Sequence, residues 1–330
     1  MKRSLVPALS FFLLLAVLLT APPAVMAESL GKPRLTFAVI SDIHVQSWDK
    51  ESVRRFRQAL EDLHKAAPGS SALIVNGDTG NGFPEDYSTV QRTIAAHLHW
   101  PYVFYTIGNH EFYKAWHRGK QWSEASFPNG ETEEASIGRF LQLTGEPRVY
   151  YDRWLQGYHF IFLGSERYRQ SDPGNGEDAW LSDEQLGWLR SKLQDDAQKD
   201  PQRPVFLFLH QPLQGTVSGS SERGVVQLEE LRSILRKHPQ VLLFSGHTHF
   251  ELEKPDMVIR GDRVTMVNSS SVREPFKAAR EPYAESEDES EGIVVQVSPD
   301  EVSIRGRSFK RHSWITGADY MVPLQNKTGP

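Results

Sequence analysis

The sequence contains no cysteine, which restricts both its covalent structure and its chemistry. Disulfides, thiolate metal sites, a cysteine nucleophile and a lipid-attachment cysteine are all excluded. Any metal would need histidine, carboxylate or amide ligands. The sequence also lacks a Gly-x-Ser-x-Gly elbow, a Gly-x-x-x-x-Gly-Lys-Ser/Thr phosphate loop and a dinucleotide-binding fingerprint. These absences argue against the enzyme classes that depend on those motifs.

An excess of positive charge is also missing. Lysine and arginine together number 37, aspartate and glutamate 42, and the net charge is −5. Specific nucleic-acid binding through phosphate neutralisation is therefore not expected. Hydrophobic residues make up 39% of the chain and charged residues 24%, as in ordinary globular proteins. A chain of 330 residues is long enough to bury a large core.

The one long apolar stretch lies at the start of the chain. Lys2 and Arg3 precede the apolar residues 5–19, and Ala27 supplies a small residue before a cleavage point. This pattern is typical of a signal peptide, so we predict that residues 1–27 are removed and that the protein is secreted or extracytoplasmic. An uncleaved anchor is the alternative, but the run is shorter than the roughly 20 residues that a membrane span needs. We therefore expect no stable membrane span after cleavage.

Apolar runs after the signal peptide predict buried strands at Leu35–Ser41, Ala72–Asn76 and Tyr102–Ile107. Apolar residues at helical spacing predict helices at Asp49–Ala66 and Glu85–His99, between those strands. Strands that alternate with helices indicate an α/β fold. With the strands and helices that follow, the pattern suggests two sheets packed face to face with helices outside. We predict one domain at 34–310 and a C-terminal tail at 311–330.

Polar groups that can bind metals follow five of the predicted strands. In sheets covered by helices, binding sites form beyond the carboxyl ends of the strands. One such group at a strand end is commonly a turn former, but five in succession indicate a shared site. The groups are Asp42-Ile43-His44, Gly77-Asp78, Gly108-Asn109-His110-Glu111, His210 and Gly246-His247-Thr248-His249.

The spacing and the chemistry of these groups favour a metal site. Asp42 and His44 lie two residues apart, as do His247 and His249, so in an extended segment both members of each pair point the same way. The preceding glycines permit close backbone approach. Carboxylate and amide oxygens mixed with imidazoles suit Mn, Fe or Zn better than Ca or Mg. Glu111 more readily anchors its loop than binds a metal.

The five groups, in this order, resemble the motifs of the calcineurin-like metallophosphoesterase superfamily, in particular a secreted bacterial-type member. Its motifs are D-x-H, G-D, G-N-H-E/D, H and G-H-x-H. The resemblance covers roughly residues 35–271 and is specific because all five blocks are present. It implies a four-layer α/β/β/α sandwich, with two mixed sheets and helices on the outer faces. It also implies a centre of two divalent or trivalent ions (Mn, Fe or Zn).

The resemblance further implies a role for each residue by motif position. Asp42, His44 and His249 would hold the first metal, and Asn109, His210 and His247 the second. Asp78 would bridge the two ions, and His110 would be catalytic without being a ligand. A metal-bridging hydroxide would attack phosphorus, and His110 would protonate the leaving group or stabilise the transition state.

One position departs from the family pattern. Many members have G-D-x-x-D, in which the second aspartate pairs with the catalytic histidine, whereas this chain has Asn81. Asn81 can accept a hydrogen bond from His110 but brings no charge. We therefore hypothesise a lower pKa for His110 than a charged partner would give.

Several substrates are compatible with these motifs. The expected partner is a small-molecule or polymeric phosphate ester, with phosphodiesters slightly favoured over phosphomonoesters because no extra basic clamp is obvious. Arg118, Lys120, Arg167 and Arg273 are the candidates for such a clamp after folding. Residues 113–129 are predicted to form a long loop, and the aromatic stretch from Tyr113 to Phe127 within it is a candidate pocket wall. A secreted nucleotidase is one alternative, and a catalytically inactive metal-containing binding protein is another.

Overall fold

A computed structural model of the chain describes residues 34–97, 100–261, 263–277 and 289–324. The predicted signal peptide and His99 lie outside these ranges. The α-helices are α1 (Lys50–Ala66), α2 (Pro84–Ala96), α3 (Glu133–Thr144), α4 (Asp183–Lys199) and α5 (Leu228–Leu235). The strands are β1 (Leu35–Ile40), β2 (Ala72–Asn76), β3 (Tyr102–Thr106), β4 (His117–Arg118), β5 (Gln121–Trp122), β6 (Tyr151–Leu155), β7 (Tyr158–Phe162), β8 (Val205–Phe208), β9 (Val241–Ser245), β10 (Val258–Gly261), β11 (Val264–Asn268), β12 (Glu291–Val297), β13 (Glu301–Ser308) and β14 (Ser313–Pro323).

Two six-stranded mixed sheets form the centre of the fold. The first has the order β14-β13-β12-β1-β2-β3, in which β1, β2 and β3 are parallel and the other three strands are antiparallel. The second has the order β10-β11-β9-β8-β7-β6, with a parallel centre flanked by antiparallel β10 and β6. Strands β4 and β5 form a separate short hairpin.

An aromatic core lies between the two sheets. Phe37 of the first sheet contacts Phe160 and Phe206 of the second, with ring centroids 5.0 and 4.9 Å apart. Alternate residues of β1 point the other way, because side chains alternate between the faces of a strand. Ala38 and Ile40 accordingly belong to the apolar cluster that includes the α-helices. Both faces of β1 are therefore covered, which explains why its sequence is a nearly continuous apolar run.

The helices occupy the outer faces of the sheets. Helices α1 and α2 connect successive parallel strands of the first sheet, and α4 and α5 connect those of the second. Right-handed crossovers that proceed in one direction along a sheet place their helices on the same face. The predicted four-layer α/β/β/α sandwich is therefore confirmed. No helix in the described ranges has the length and apolar character needed to cross a membrane.

Two segments differ from the expectations. Residues 313–323, expected within a C-terminal tail, form β14, which pairs along β13 at the edge of the first sheet. Their alternation is weak because an edge strand is largely exposed on one face. The stretch 113–129, expected as a long loop, contains the hairpin of β4 and β5 and part of the 3-10 helix His110–Trp116.

Candidate metal centre

The structure brings six of the predicted ligands together in two groups beyond the strand ends. Asp78 belongs to both groups, and within each group the candidate ligand atoms lie within 4.8 Å of one another. Asn109 adjoins the second group, because its side-chain oxygen lies 3.0 Å from Nδ1 of His247. The first group is Asp42, His44, Asp78 and His249, and the second is Asp78, His210 and His247.

The members of the pairs Asp42/His44 and His247/His249 do not face the site for the reason that the sequence suggested. Asp42 and His44 have φ values of 52° and 42°, and His247 and His249 have 68° and 57°. These residues therefore lie in the left-handed region and not in an extended segment, so the strand-like explanation is wrong. Such strained backbone conformations cluster at functional sites, where the surrounding structure maintains them.

Glycines allow the motif loops to approach one another closely, as the sequence indicated. A Cβ atom at Gly108 would lie 2.2 Å from Oδ1 of Asp78, and one at Gly246 would lie 1.8 Å from the hydroxyl oxygen of Ser41. Any larger residue at either position would displace the neighbouring loop.

Hydrogen bonds fix the orientation of two of the histidines for coordination. Nδ1 of His210 donates to the carbonyl of Asn76 at 2.8 Å, and Nδ1 of His249 donates to the carbonyl of Glu274 at 3.0 Å. In both rings Nε2 is then the nitrogen that can present its lone pair to a metal, as is usual when a metal-binding histidine is held by a backbone carbonyl. Nε2 of His249 lies 2.9 Å from Oδ1 of Asp42, and the buried Nε2 of His210 lies 3.2 Å from Oδ2 of Asp78. Imidazole nitrogens and carboxylate oxygens brought this close together in a buried site fit the ligands of a bound cation.

The electrostatics of the centre also favour a cation. Burial alone would lower the pKa of His210, but the carboxylates of Asp78 and Asp42 raise it to about 10. Burial opposes ionisation of Asp42, yet His249 and His210 lower its pKa to about 2. The negative field that attracts a proton to His210 equally attracts a metal ion. The residues present therefore fit a two-metal cluster.

Glu111 anchors the motif loops, as expected from its position. Its carboxylate accepts hydrogen bonds from the backbone N–H groups of Asp78, Thr79 and Gly108, at 3.2, 2.7 and 2.6 Å. Burial, together with the nearby Asp78, raises the pKa of Glu111 to about 7. Glu111 thus connects the loops after β2 and β3 and lies outside both ligand groups.

His110 lies beside the two groups and is held on two sides. Its Nδ1 is 3.0 Å from the side-chain oxygen of Asn81, as the sequence suggested, and its ring stacks on Tyr113 with centroids 3.7 Å apart. Its Nε2 lies 3.9 Å from Oδ2 of Asp78. Burial lowers the pKa of His110 to about 4, with His249 acting in the same direction and Asp78 opposing it.

Glu177 is a site residue that the sequence analysis missed. Its buried carboxylate accepts a hydrogen bond from Nδ2 of Asn109 at 2.9 Å, and it also contacts Tyr168 and Arg169. Because the carboxylate binds the amide nitrogen, the amide oxygen of Asn109 faces His247. No local motif marks Glu177, since it lies 68 residues from Asn109 in the chain.

A cleft of about 430 Å³ opens beside the centre and is bordered by His44, His110 and His249. His117 also borders it. Of the four candidate cations, Lys120 and Arg273 line the cleft. Arg167 instead stacks on the ring of Trp180, 3.7 Å from its centroid.

Fold and site together define a metal-dependent hydrolase of phosphate esters. The chain belongs to the calcineurin-like phosphoesterase family, whose model matches residues 35–251. The residue cluster and the family support two metal ions. No curated protein matches the chain by sequence.

Solved structures show the same fold at low sequence identity. A dimetal phosphatase from Danio rerio has a TM-score of 0.60 and 16% identity, over 89% of this chain and 100% of that one. A purple acid phosphatase from yellow lupin (Lupinus luteus) seeds has a TM-score of 0.53 and 14% identity, over 88% and 53%. GAP50, the anchor in the inner membrane complex of Plasmodium, has a TM-score of 0.53 and 13% identity, over 89% and 90%.

Proposed function

We propose that this hydrolase prefers phosphodiesters to phosphomonoesters. The supporting observation is the scarcity of uncompensated positive charge in the cleft. Arg273 pairs with Asp49 at 3.1 Å and with Glu274 at 3.4 Å. Among the residues that the structure describes, no carboxylate lies within ion-pair distance of Lys120. A phosphodiester carries one negative charge, whereas a phosphomonoester carries about 1.5 to 2 at neutral pH, so one free cation favours the diester.

The proposed ligand assignment follows from the two groups that share Asp78. Asp42, His44 and His249 would hold one ion, and Asn109, His210 and His247 the other, with Asp78 between them. When bound, a pair of such ions neutralises charge on the phosphoryl oxygens and lowers the pKa of a coordinated water to near 7.

In this proposal His110 supplies a proton to the leaving group. Asn81 accepts a hydrogen bond from Nδ1, which leaves Nε2 directed towards Asp78 and the cleft. Protonated His110 would donate from Nε2 to the departing alkoxide oxygen. The stacked Tyr113 ring limits rotation of the imidazole and shields one face of it from water.

The substrate preference is tested with bis-p-nitrophenyl phosphate and p-nitrophenyl phosphate after the purified protein has been reloaded with Mn²⁺. We expect the higher kcat/KM for the diester. A higher value for the monoester, or for nucleoside monophosphates, would reverse the preference. Protein that holds two ions and cleaves none of these esters would instead be a metal-containing binding protein.

The division of roles is tested by two substitutions. Asp78→Ala should lose both bound metal and activity, because Asp78 belongs to both ligand groups. His110→Ala should retain two ions while kcat falls about 10²- to 10⁴-fold, the usual range for loss of a general acid. Loss of metal in His110→Ala would contradict the assignment.

We also propose an extracytoplasmic location, which rests on the sequence pattern of residues 1–27. Expression of the full chain in a secreting host and N-terminal sequencing of the product tests it. A mature protein that begins at Glu28 supports the proposal, and an uncleaved cytoplasmic product contradicts it.

A further inference from the structure

The outer wall of the cleft carries a large exposed aromatic side chain. Trp122 lies in β5 of the short hairpin, lines the cleft that His110 borders, and is 55% exposed. An exposed indole that borders a cleft is placed to contact a ligand bound there. The other strongly exposed large hydrophobic residues of the described chain do not border this cleft. They are Tyr102, Trp154, Val226 and Met321.

Trp122 is exposed but held in place. Its ring lies nearly parallel to that of Trp116, with centroids 6.1 Å apart, and Trp116 packs on Phe127 at 4.2 Å. Trp116 is anchored in turn, because its indole N–H donates to the hydroxyl of Tyr168 at 3.1 Å. The backbone N–H of Ser123 donates to the carbonyl of Trp116 at 2.8 Å and closes the hairpin. A rigid aromatic surface of this kind binds a planar group at low entropic cost.

A positively charged side chain lines the same cleft as Trp122. Lys120 lines the same cleft, and its ammonium lies 5.3 Å from the centroid of the Trp48 ring. Among the residues that the structure describes, the cleft therefore combines the candidate metal ligands His44 and His249, a lysine with no carboxylate at ion-pair distance, and an exposed indole. Clefts of 300 to 1,000 Å³ are typical of small-molecule sites.

We propose that Trp122 forms a subsite for an aromatic ring in the organic part of the phosphate ester, while Lys120 pairs with the charge on the phosphate. The substrate class is therefore an aryl or nucleoside phosphate ester. The proposal rests on the proposed function for the bond that is cleaved. The aromatic ring would stack on the exposed face of Trp122, where stacking is favourable for any planar π system.

The subsite is tested by ligand binding, independently of turnover. Methyl(phenyl)phosphinate and dimethylphosphinate carry the same single negative charge and contain no hydrolysable ester bond. Calorimetry on the Mn²⁺-loaded protein should show about tenfold tighter binding of the phenyl compound. Trp122→Ala should reduce that ratio to about one to two, and Trp122→Phe should retain most of it. Lys120→Gln should weaken both ligands by a similar factor and leave the ratio unchanged.

Trp154→Ala is the matched control, because Trp154 is 48% exposed and stacks on His159 outside the cleft. It should leave the ratio unchanged. Melting temperatures close to that of the wild type would show that each variant is folded. A phenyl preference that survives in Trp122→Ala, or no phenyl preference in the wild type, would overturn the proposal.

Kinetic measurements with an ester substrate distinguish a failure of the Trp122 subsite from a failure of the proposed hydrolytic function. For bis-p-nitrophenyl phosphate, Trp122→Ala should raise KM about tenfold and leave kcat within twofold, because stacking of similar strength in the ground state and the transition state contributes to KM and not to kcat. If the phosphinates behave as expected but no ester is cleaved, the subsite stands and the hydrolytic function fails. If esters are cleaved and Trp122→Ala changes neither KM nor the phosphinate ratio, the subsite fails alone.

Discussion

Asn109 illustrates how one buried side chain sets the orientation of another. An amide can present either its oxygen or its nitrogen to a metal, but only the oxygen is a useful ligand. The Glu177 carboxylate accepts from Nδ2 and thereby fixes the orientation of the Asn109 amide. Glu177 is therefore a positioning residue that acts through Asn109.

Glu177→Gln should lower the affinity of the second metal position by about 10- to 100-fold, because a glutamine at this position can donate to the amide and favour its reversed orientation. Metal titration followed by elemental analysis measures the effect. We expect a variant that retains one tight ion and loses the second at limiting metal.

Glu133→Gln provides the matched control for Glu177. Glu133 is also buried and accepts hydrogen bonds from the backbone of Tyr168 and Ser171, but it does not contact Asn109. If both variants lose the second ion equally, the effect comes from the loop and not from the orientation of Asn109.

Asn81 provides a second prediction at the level of one residue. Asn81→Asp would place a negative charge beside Nδ1 of His110, which stabilises the protonated imidazole and raises its pKa. If protonated His110 is the acid, activity falls as pH rises through that pKa. The alkaline limb of the kcat/KM profile should therefore move to higher pH in Asn81→Asp. An unchanged profile would contradict the role of Asn81.

At the level of elements, a buried ion network joins β6, β7 and α4. Nδ1 of His159 lies 2.6 Å from Asp196 in α4, and Nε2 lies 2.9 Å from Asp152 in β6. Burial opposes the charge on His159, but the two carboxylates raise its pKa above the ordinary value. The hydrogen bond from His159, assisted by Lys192, lowers the pKa of Asp152 to about 2.

This network predicts a pH-dependent stability. Because the pKa of His159 is raised in the folded state, its contribution is complete below about pH 6.5 and is lost as pH rises through the folded pKa. The contribution of Asp152 is complete above about pH 4 and is lost as pH falls towards 2. His159→Gln should therefore lower the free energy of unfolding by about 3 kcal/mol at pH 5.5 and by clearly less at pH 9.

Denaturant unfolding at the two pH values measures this difference. His97→Gln is a suitable control, because His97 pairs with Glu61, whose side chain is 49% exposed. Its cost should be at most about 1 kcal/mol. An equal cost of His159→Gln at both pH values would show that His159 contributes by packing alone.

At the level of the whole molecule, both sheets contribute candidate ligands to the metal centre. Asp42, Asp78 and Asn109 follow strands of the first sheet, and His210 and His247 follow strands of the second. Ions held between these groups bind the native state and not the unfolded chain, so they stabilise the fold through binding linkage.

Removing the metal should consequently lower the melting temperature by about 5 to 10 °C, which corresponds to ions present at about 100 times their Kd. Calorimetry before and after chelation measures this shift. Asp78→Ala should show little dependence on added Mn²⁺. An equally large Mn²⁺-dependent shift in that variant would place the stabilising ion elsewhere.

Much of the fold could be predicted because each buried strand has a continuous apolar run followed by a polar group. The bounds of β2 agree with the expected Ala72–Asn76, and those of β1 and β3 differ by one residue. Edge strand β14 was missed, because a strand exposed on one face and along one edge has no strong apolar pattern. Its pairing with β13 depends on contacts that the local sequence does not specify.

The sequence by itself determined the chemistry of the site: which residue types follow each strand, and hence the donor set that identifies the metal centre. These are local properties, because a strand end and the residues after it are contiguous in the chain. Only the tertiary structure decided which nitrogen His210 and His249 direct towards the metal centre and which amide atom Asn109 turns towards His247. It also decided that Trp122 lines the cleft. Those features depend on Glu177, Glu274, Asn76 and Trp116, which are distant in sequence from several of their partners and meet them only after the sheets have packed.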